Sequence, residues 1–151
     1  MTLEPQALHK SPRQEWMGLL ARARPARLAA LFPDLPPHDL LRAPEIGAVM
    51  VQGRIGATGQ PFNLGEMTVT RCVVRLADGA VGHAHVQGRD KAHATRAALV
   101  DALLQTDRAA DLQTRLLAPL QAEERERRRT RAARAAATTV EFFTLMRGED
   151  Q

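Results

Sequence analysis

A chain of 151 residues and 16.6 kDa is the length of one ordinary domain, which excludes a two-domain enzyme. Aromatic residues make up only 3% and tyrosine is absent, so the core must be built mainly from Ala, Leu and Val, which remove less surface from water than aromatic side chains do. The 21 basic against 17 acidic residues leave a net charge of +4, and the pI near 10.5 mostly reflects arginines that never titrate, so a strongly polycationic protein is excluded too.

Residues 1–11 carry little pattern and read as a flexible tail. From Ser11 the chain reads as a helix, because Ser11 can cap, Pro12 suits the first turn, and Trp16, Leu19, Leu20 and Ala23 recur at helical spacing. Pro25 restarts the chain as a second short helix through Leu28, Leu31 and Phe32, and Pro33, Pro36 and Pro37 end it in a stiff turn.

The middle third changes period. Residues 46–56, 62–76 and 80–87 alternate as strands of an antiparallel sheet, separated by a glycine-rich loop and by an Asp78-Gly79 turn. The last of these carries His83 and His85, and its register decides where they point. A two-residue loop places both imidazoles on the face of Cys72 and Val74. A three-residue loop of Ala77, Asp78 and Gly79, with the glycine left-handed, places them with Arg71 and Arg75. The polarity pattern favours the second.

After Gly88 the helical period returns from Asp90 to about Gln105, with Ala94, Ala97, Ala98, Leu99, Leu103 and Leu104 covering more than one face, so this helix packs on two sides. A break near Thr106 and Asp107 precedes a further helical stretch, interrupted at Pro119, and then an arginine-rich helix from 123 to 134. The expected fold is α+β: a single domain with a small antiparallel sheet of at least three strands, N-terminal helices and C-terminal helices.

Several segments carry chemistry. Gly53, Gly56 and Gly59 superficially resemble a phosphate loop, but Pro61 and a strand follow where a helix N-terminus is required, so a hairpin connection is the better reading. The stretch VQGRDKAHA at 86–94 lies where strand gives way to helix. There, backbone amides, the Arg89 guanidinium and the Lys91 ammonium can converge on one anion, with His93 a turn further in. The plain alternative is that Asp90 caps the helix, Arg89 and Lys91 are solvated or make interface ion pairs, and His93 packs at the surface. Lys91 and Lys10 are the only lysines in an arginine-rich chain.

His83, His85 and His93 lack an assured third metal ligand in common geometry, so no metal is expected. The lone Cys72 excludes an intramolecular disulfide and a four-thiolate cluster held by this chain alone, and it suits a reducing compartment. No run of about 18 apolar residues is present, which points to a cytoplasmic protein with no membrane partner. The arginines of 123–134 are interleaved with Glu123, Glu124 and Glu126 and lack stacking aromatics, so a solvated or partner-facing helix is preferred to a nucleic-acid surface. Phe142, Phe143, Leu145 and Met146 form an apolar segment after that helix, suited to docking on this domain or on another subunit.

The ordered elements RQEWM, RAPEIGAV, GRIGATGQPFNLGEMTVTR, VVRLADGAVG, VQGRDKAHATRAALVDALLQ, LLAPL and VEFFTLMRG together resemble the PhnG family, a subunit of the bacterial carbon–phosphorus lyase system. The likeness runs over about residues 13 to 148, within a domain taken as 12–148. It implies a non-autonomous subunit of a core complex with PhnH, PhnI and PhnJ. In that family PhnG acts with PhnH, PhnI and PhnL to displace adenine from ATP by a phosphonate, giving α-D-ribose 1-methylphosphonate 5-triphosphate. The resemblance implies no cofactor in this chain, with ATP and the phosphonate as substrates of the complex, and it assigns no catalytic residue here. Since those substrates are polyanionic, Arg89, Lys91 and His93, with Arg54 or Arg71 from the polar sheet face, are the candidate contacts. A small basic nucleic-acid-binding or scaffold protein is the alternative of a different class.

Overall fold

The computed structural model describes residues 10–138, so most of the expected tail and the docking residues Phe142, Phe143, Leu145 and Met146 lie outside the described part. Helix α1 spans Pro12–Arg22. Its start is closed from both sides: the Ser11 hydroxyl accepts from the Gln14 amide at 3.3 Å, and the Ser11 amide donates to Gln14 Oε1 at 2.8 Å. Helix α2, Pro25–Leu31, also opens on a proline whose missing N–H would have had no partner in the first turn.

Three antiparallel strands follow in the order β1-β2-β3: β1 at His38–Arg54, β2 at Pro61–Leu76 and β3 at Val81–Gln87. β1 starts at His38 rather than at the expected residue 46. The early half escapes a period-two reading because its pairing with β2 shifts register between Leu40 and Arg42 and again between Arg42 and Glu45. Each shift adds an unpaired residue on β1, and Pro44 removes a donor there.

The β2–β3 turn takes the three-residue form. The Leu76 amide donates to the Ala80 carbonyl at 2.9 Å, and Gly79 is left-handed at φ +92°. Arg71 therefore pairs with His85, and Val73 with His83, so both histidines stand on the solvent-facing side of the sheet.

The other side carries Thr70, Cys72 and Val74 from β2 and Ala84 and Val86 from β3, all buried beneath helix α3, Lys91–Leu103. The contact is unusually close at one point. A Cβ on Gly82 would stand 1.9 Å from the Ala98 carbonyl oxygen and 2.6 Å from the Ala102 nitrogen. Ala94, Ala97, Ala98 and Ala102 line the buried side of α3, so the alanine-rich composition serves a helix seated tightly on its sheet. On its other side α3 meets α1 and α2, which completes a layer with buried Leu20, Leu28 and Phe32.

Helix α4, Ala109–Leu112, runs through a π-helical stretch at Gln113–Leu117 into the long helix α5, Ala118–Ala137. Pro119 has no N–H to donate backwards, and its ring would crowd the Arg115 carbonyl in an ordinary α-helix. The widened coil lets the chain continue helically past it.

Candidate functional site

The segment that links β3 to α3 is held from the sheet. Gly88, left-handed at φ +91°, donates its amide to the Thr68 carbonyl at 2.9 Å, and its own carbonyl accepts from the Thr70 hydroxyl at 2.7 Å. Asp90 caps α3 by accepting the His93 amide at 2.9 Å. Arg89 and Lys91 flank this cap and are exposed, and neither forms an ion pair among the described residues. Two cations thus stand within one residue of a capped helix start, both open to a ligand or a partner.

His93 points the other way. Its ring is buried, with Nε2 donating to the Leu20 carbonyl of α1 at 2.9 Å and Nδ1 enclosed without a partner. Burial lowers its pKa, against weaker opposing effects of the Leu20 bond and the Asp90 charge. It is therefore a neutral strut between α3 and α1, turned inward rather than placed at the surface beside Arg89 and Lys91.

Arg71 lies on the solvent side of the sheet, in a row with Glu45 of β1 and His85 of β3. The next rows hold Arg42, Val73 and His83, then Asp39, Arg75 and Val81. Neighbouring carboxylates are already engaged: Glu45 with Arg42 at 3.1 Å and Asp39 with Arg75 at 3.0 Å. The Arg71 guanidinium lies over Gly47, where a Cβ would come within 3.1 Å of its Nη2, and its buried Nε has no partner. This face offers an uncommitted guanidinium opposite His85 and diagonal to His83. Its chemistry is that of holding an oxyanion rather than of supplying a nucleophile.

Arg54 is elsewhere. It pairs with Pro61 at the tip of the β1–β2 hairpin and donates to the Gly59 carbonyl at 3.0 Å. Pro61 and Thr68 are seven residue steps apart along β2, roughly 23 Å of strand. Arg54 does not converge with Arg89 and Lys91, and Arg71 faces the side of the sheet opposite α3. The sequence-adjacent pair is thus together, while the cations gathered from separate strands are not.

Sequence reasoning missed the polar centre of the molecule. Asp101, fully buried in α3, accepts from Arg13 Nη2 at 2.7 Å, Arg13 Nε at 3.1 Å, Trp16 Nε1 at 2.8 Å and the His83 amide at 2.9 Å. The hydrogen bond to Asp101 raises the pKa of Arg13 still further. A lone carboxylate inside the apolar run ALVDALL was the available signal. Trp16, which donates to it, is itself packed against this domain's core. Cys72 is buried, which pushes its thiol pKa up, and the Thr95 hydroxyl at 3.9 Å is no base, so none of the described groups in contact with it activates it as a nucleophile.

The arginine-rich helix is partly tied to its own chain. Arg22 of α1 reaches Glu124 of α5 at 2.7 Å, Arg27 of α2 reaches Glu123 at 2.6 Å, and Arg128 shares Glu124 at 3.0 Å. Glu124 is held below the usual carboxylate range, chiefly by its hydrogen bond from Arg22. Between α1 and α5 lies an open polar cleft of about 300 Å³, lined in part by Lys10, Arg22, Arg125 and Arg128. No helix among the described residues is long and apolar enough to cross a membrane, and no three or more of their His, Cys, Asp or Glu side chains gather to hold a metal ion.

Comparison with known proteins places these features in a family. The profile described as phosphonate metabolism protein PhnG matches residues 11–148. A curated protein of Rhizobium meliloti (strain 1021), named alpha-D-ribose 1-methylphosphonate 5-triphosphate synthase subunit PhnG, is 48% identical over 145 residues, covering 91% of this chain and 90% of the relative. With nearly its whole length matched in both comparisons, from the capped start of α1 to beyond the end of α5, this chain belongs to the PhnG family of phosphonate metabolism proteins.

Proposed function

We propose that this chain is a non-autonomous subunit of an α-D-ribose 1-methylphosphonate 5-triphosphate synthase and works in phosphonate catabolism. The observation that carries the reading is the 48% identity, over nine-tenths of both chains, to a protein bearing that name. In this reading the chain acts in the cytoplasm with PhnH, PhnI and PhnL as methylphosphonate displaces adenine from ATP. PhnJ, in the same core complex, cleaves the carbon–phosphorus bond afterwards. The chain holds no cofactor of its own, and the groups that do the bond-making belong to its partners.

What this subunit adds is positive charge without a nucleophile. Arg89 and Lys91 at the start of α3 are the foremost substrate contacts, because both are exposed and neither is neutralised by a carboxylate among the described residues. Arg71 is a third cation of the same kind, on the opposite face of the sheet. Arg54 and His93 contribute less: the first sits at a distant hairpin tip and the second is enclosed against α1.

The experiment is to co-express the chain with the other subunits and follow adenine release and assembly together. Arg89→Ala and Lys91→Ala should each lower kcat/KM by about tenfold or more, the scale of one charge-assisted contact to a phosphoryl group, while the complex still elutes intact. If the complex falls apart instead, the two side chains are interface ions. Full activity in both variants removes them from either role.

A further inference from the structure

The sheet's two edges are finished differently. Along β3 the outer edge is sealed by this chain: the His83 amide donates to Asp101, and the Val81 carbonyl accepts from Gln105 Nε2 at 2.8 Å and Arg13 Nη2 at 3.4 Å. Along β1 nothing comparable exists among the described residues, since no hydrogen bond from outside the sheet reaches the backbone of 46–53.

The first half of β1 carries devices that discourage pairing: two register shifts, Pro44, and the Arg42–Glu45 ion pair. The half from Ile46 to Gly53 carries none. It is uncharged and free of proline, and at its one register shift, between Val51 and Gln52, the extra residue, Leu64, belongs to β2.

Side chains tell the same story. Ile46, Ala48 and Met50 pair with Thr70, Thr68 and Glu66, which puts them on the helix-covered side of the sheet, yet Ile46 is 42% and Met50 53% exposed. Every exposed large apolar side chain among the described residues falls between Leu35 and Leu64. Such clustering marks a surface meant to be covered.

We propose that the Ile46–Gly53 edge is completed by a strand from a different subunit of the complex, an uncharged extended segment whose apolar side chains meet Ile46 and Met50. This rests on the reading of the chain as a synthase subunit. A second copy fits poorly. Antiparallel self-pairing about a two-fold keeps like faces together, so paired positions must both be even or both odd. Centred on Ala48, it drives Gln52 of each copy against Pro44; centred on Val49 or Met50, it carries Arg54 onto Pro44 or onto Ile46. In each case the Ile46 and Met50 of both copies form a wider apolar trough with no helix over it. A strand from another chain carries neither penalty and can bring its own cover.

The test compares amide exchange of the 46–53 region in the isolated chain and in the co-purified complex. Outward-facing amides should exchange readily in the isolated chain and about tenfold or more slowly in the complex. The double variant Ile46→Lys/Met50→Lys alters two exposed positions, so it should keep the wild-type circular dichroism spectrum and melting curve yet elute apart from the other subunits. Assembly of this variant together with an unprotected wild-type edge overturns the inference alone. Protection in the isolated chain overturns it as well: in favour of a second copy if it grows with concentration, and of the chain's own residues if it does not. A wild-type chain that associates with no other subunit overturns the synthase reading and this inference with it.

Discussion

Replacing Asp101 by alanine removes the one carboxylate at which α1, α3 and β3 meet, and its cost can be worked from the four hydrogen bonds it accepts. The donors left behind have different fates. Arg13 is 39% exposed and turns to water, so its share is discounted to about 0–1 kcal/mol, as for a solvent-screened pair. Trp16 Nε1 and the His83 amide are fixed by packing and by the strand, and each unpaired buried donor costs about 1–3 kcal/mol. These terms span about 2–7 kcal/mol together, and the middle of that span, about 3–5 kcal/mol, is the usual scale for removing one partner of a buried ion pair. For a chain of this size that lowers Tm by roughly 10–20 °C.

Thermal melts by circular dichroism measure the whole effect, and amide exchange at His83 reports the local one. Trp16→Phe removes a single donor and leaves the carboxylate to Arg13 and His83, so it should cost about 1 kcal/mol. An Asp101→Ala protein that melts within about 3 °C of wild type, below the change expected for 1 kcal/mol, with the His83 amide still protected, would refute the assignment of Asp101 as the tie between the three elements.

Gly82→Ala forces a methyl group onto the backbone of α3 at Ala98 and Ala102, where neither side is a flexible chain end, and should cost about 3 kcal/mol or more by overpacking; a wild-type denaturation midpoint would show that α3 sits further from β3. His93 gives a pH signature. Its folded pKa is below the ordinary 6.5 that the unfolded chain keeps, so the histidine adds no penalty above about pH 6.5. As pH falls from there toward the folded pKa, the unfolded state takes up the proton more readily and stability is lost. Urea midpoints should therefore drop as pH falls below about 6.5, and His93→Gln should flatten that part of the curve.

Local chemistry was the legible part of the chain. Ser11 before Pro12, and Asp90 at the start of α3, announce helix starts because a cap needs only residues within one turn. The Ala77–Gly79 turn was readable because slipping it by one residue would have buried two imidazoles. The early half of β1 was not readable, since its two added residues and Pro44 destroy the alternation by which strands are recognised. Asp101 was missed for another reason: its partners Arg13 and Trp16 lie 88 and 85 residues away, and nothing in its own neighbourhood names them. For the candidate site the same rule applies. Arg89 and Lys91 stand together because they are neighbours in sequence, whereas grouping Arg54 and Arg71 with them required a sheet register and a hairpin length that only the folded chain supplies.

The bare edge of β1 also bears on how the protein must be made. Without a partner strand, each newly synthesised copy displays a proline-free, uncharged stretch at 46–53 as a template for strand addition, guarded only at its ends by Pro44 and the hairpin-tip arginine. On the proposal that another subunit completes this edge, supply of the chain should keep pace with its partners, and overproduction of the chain by itself should raise its turnover rather than the amount of working complex.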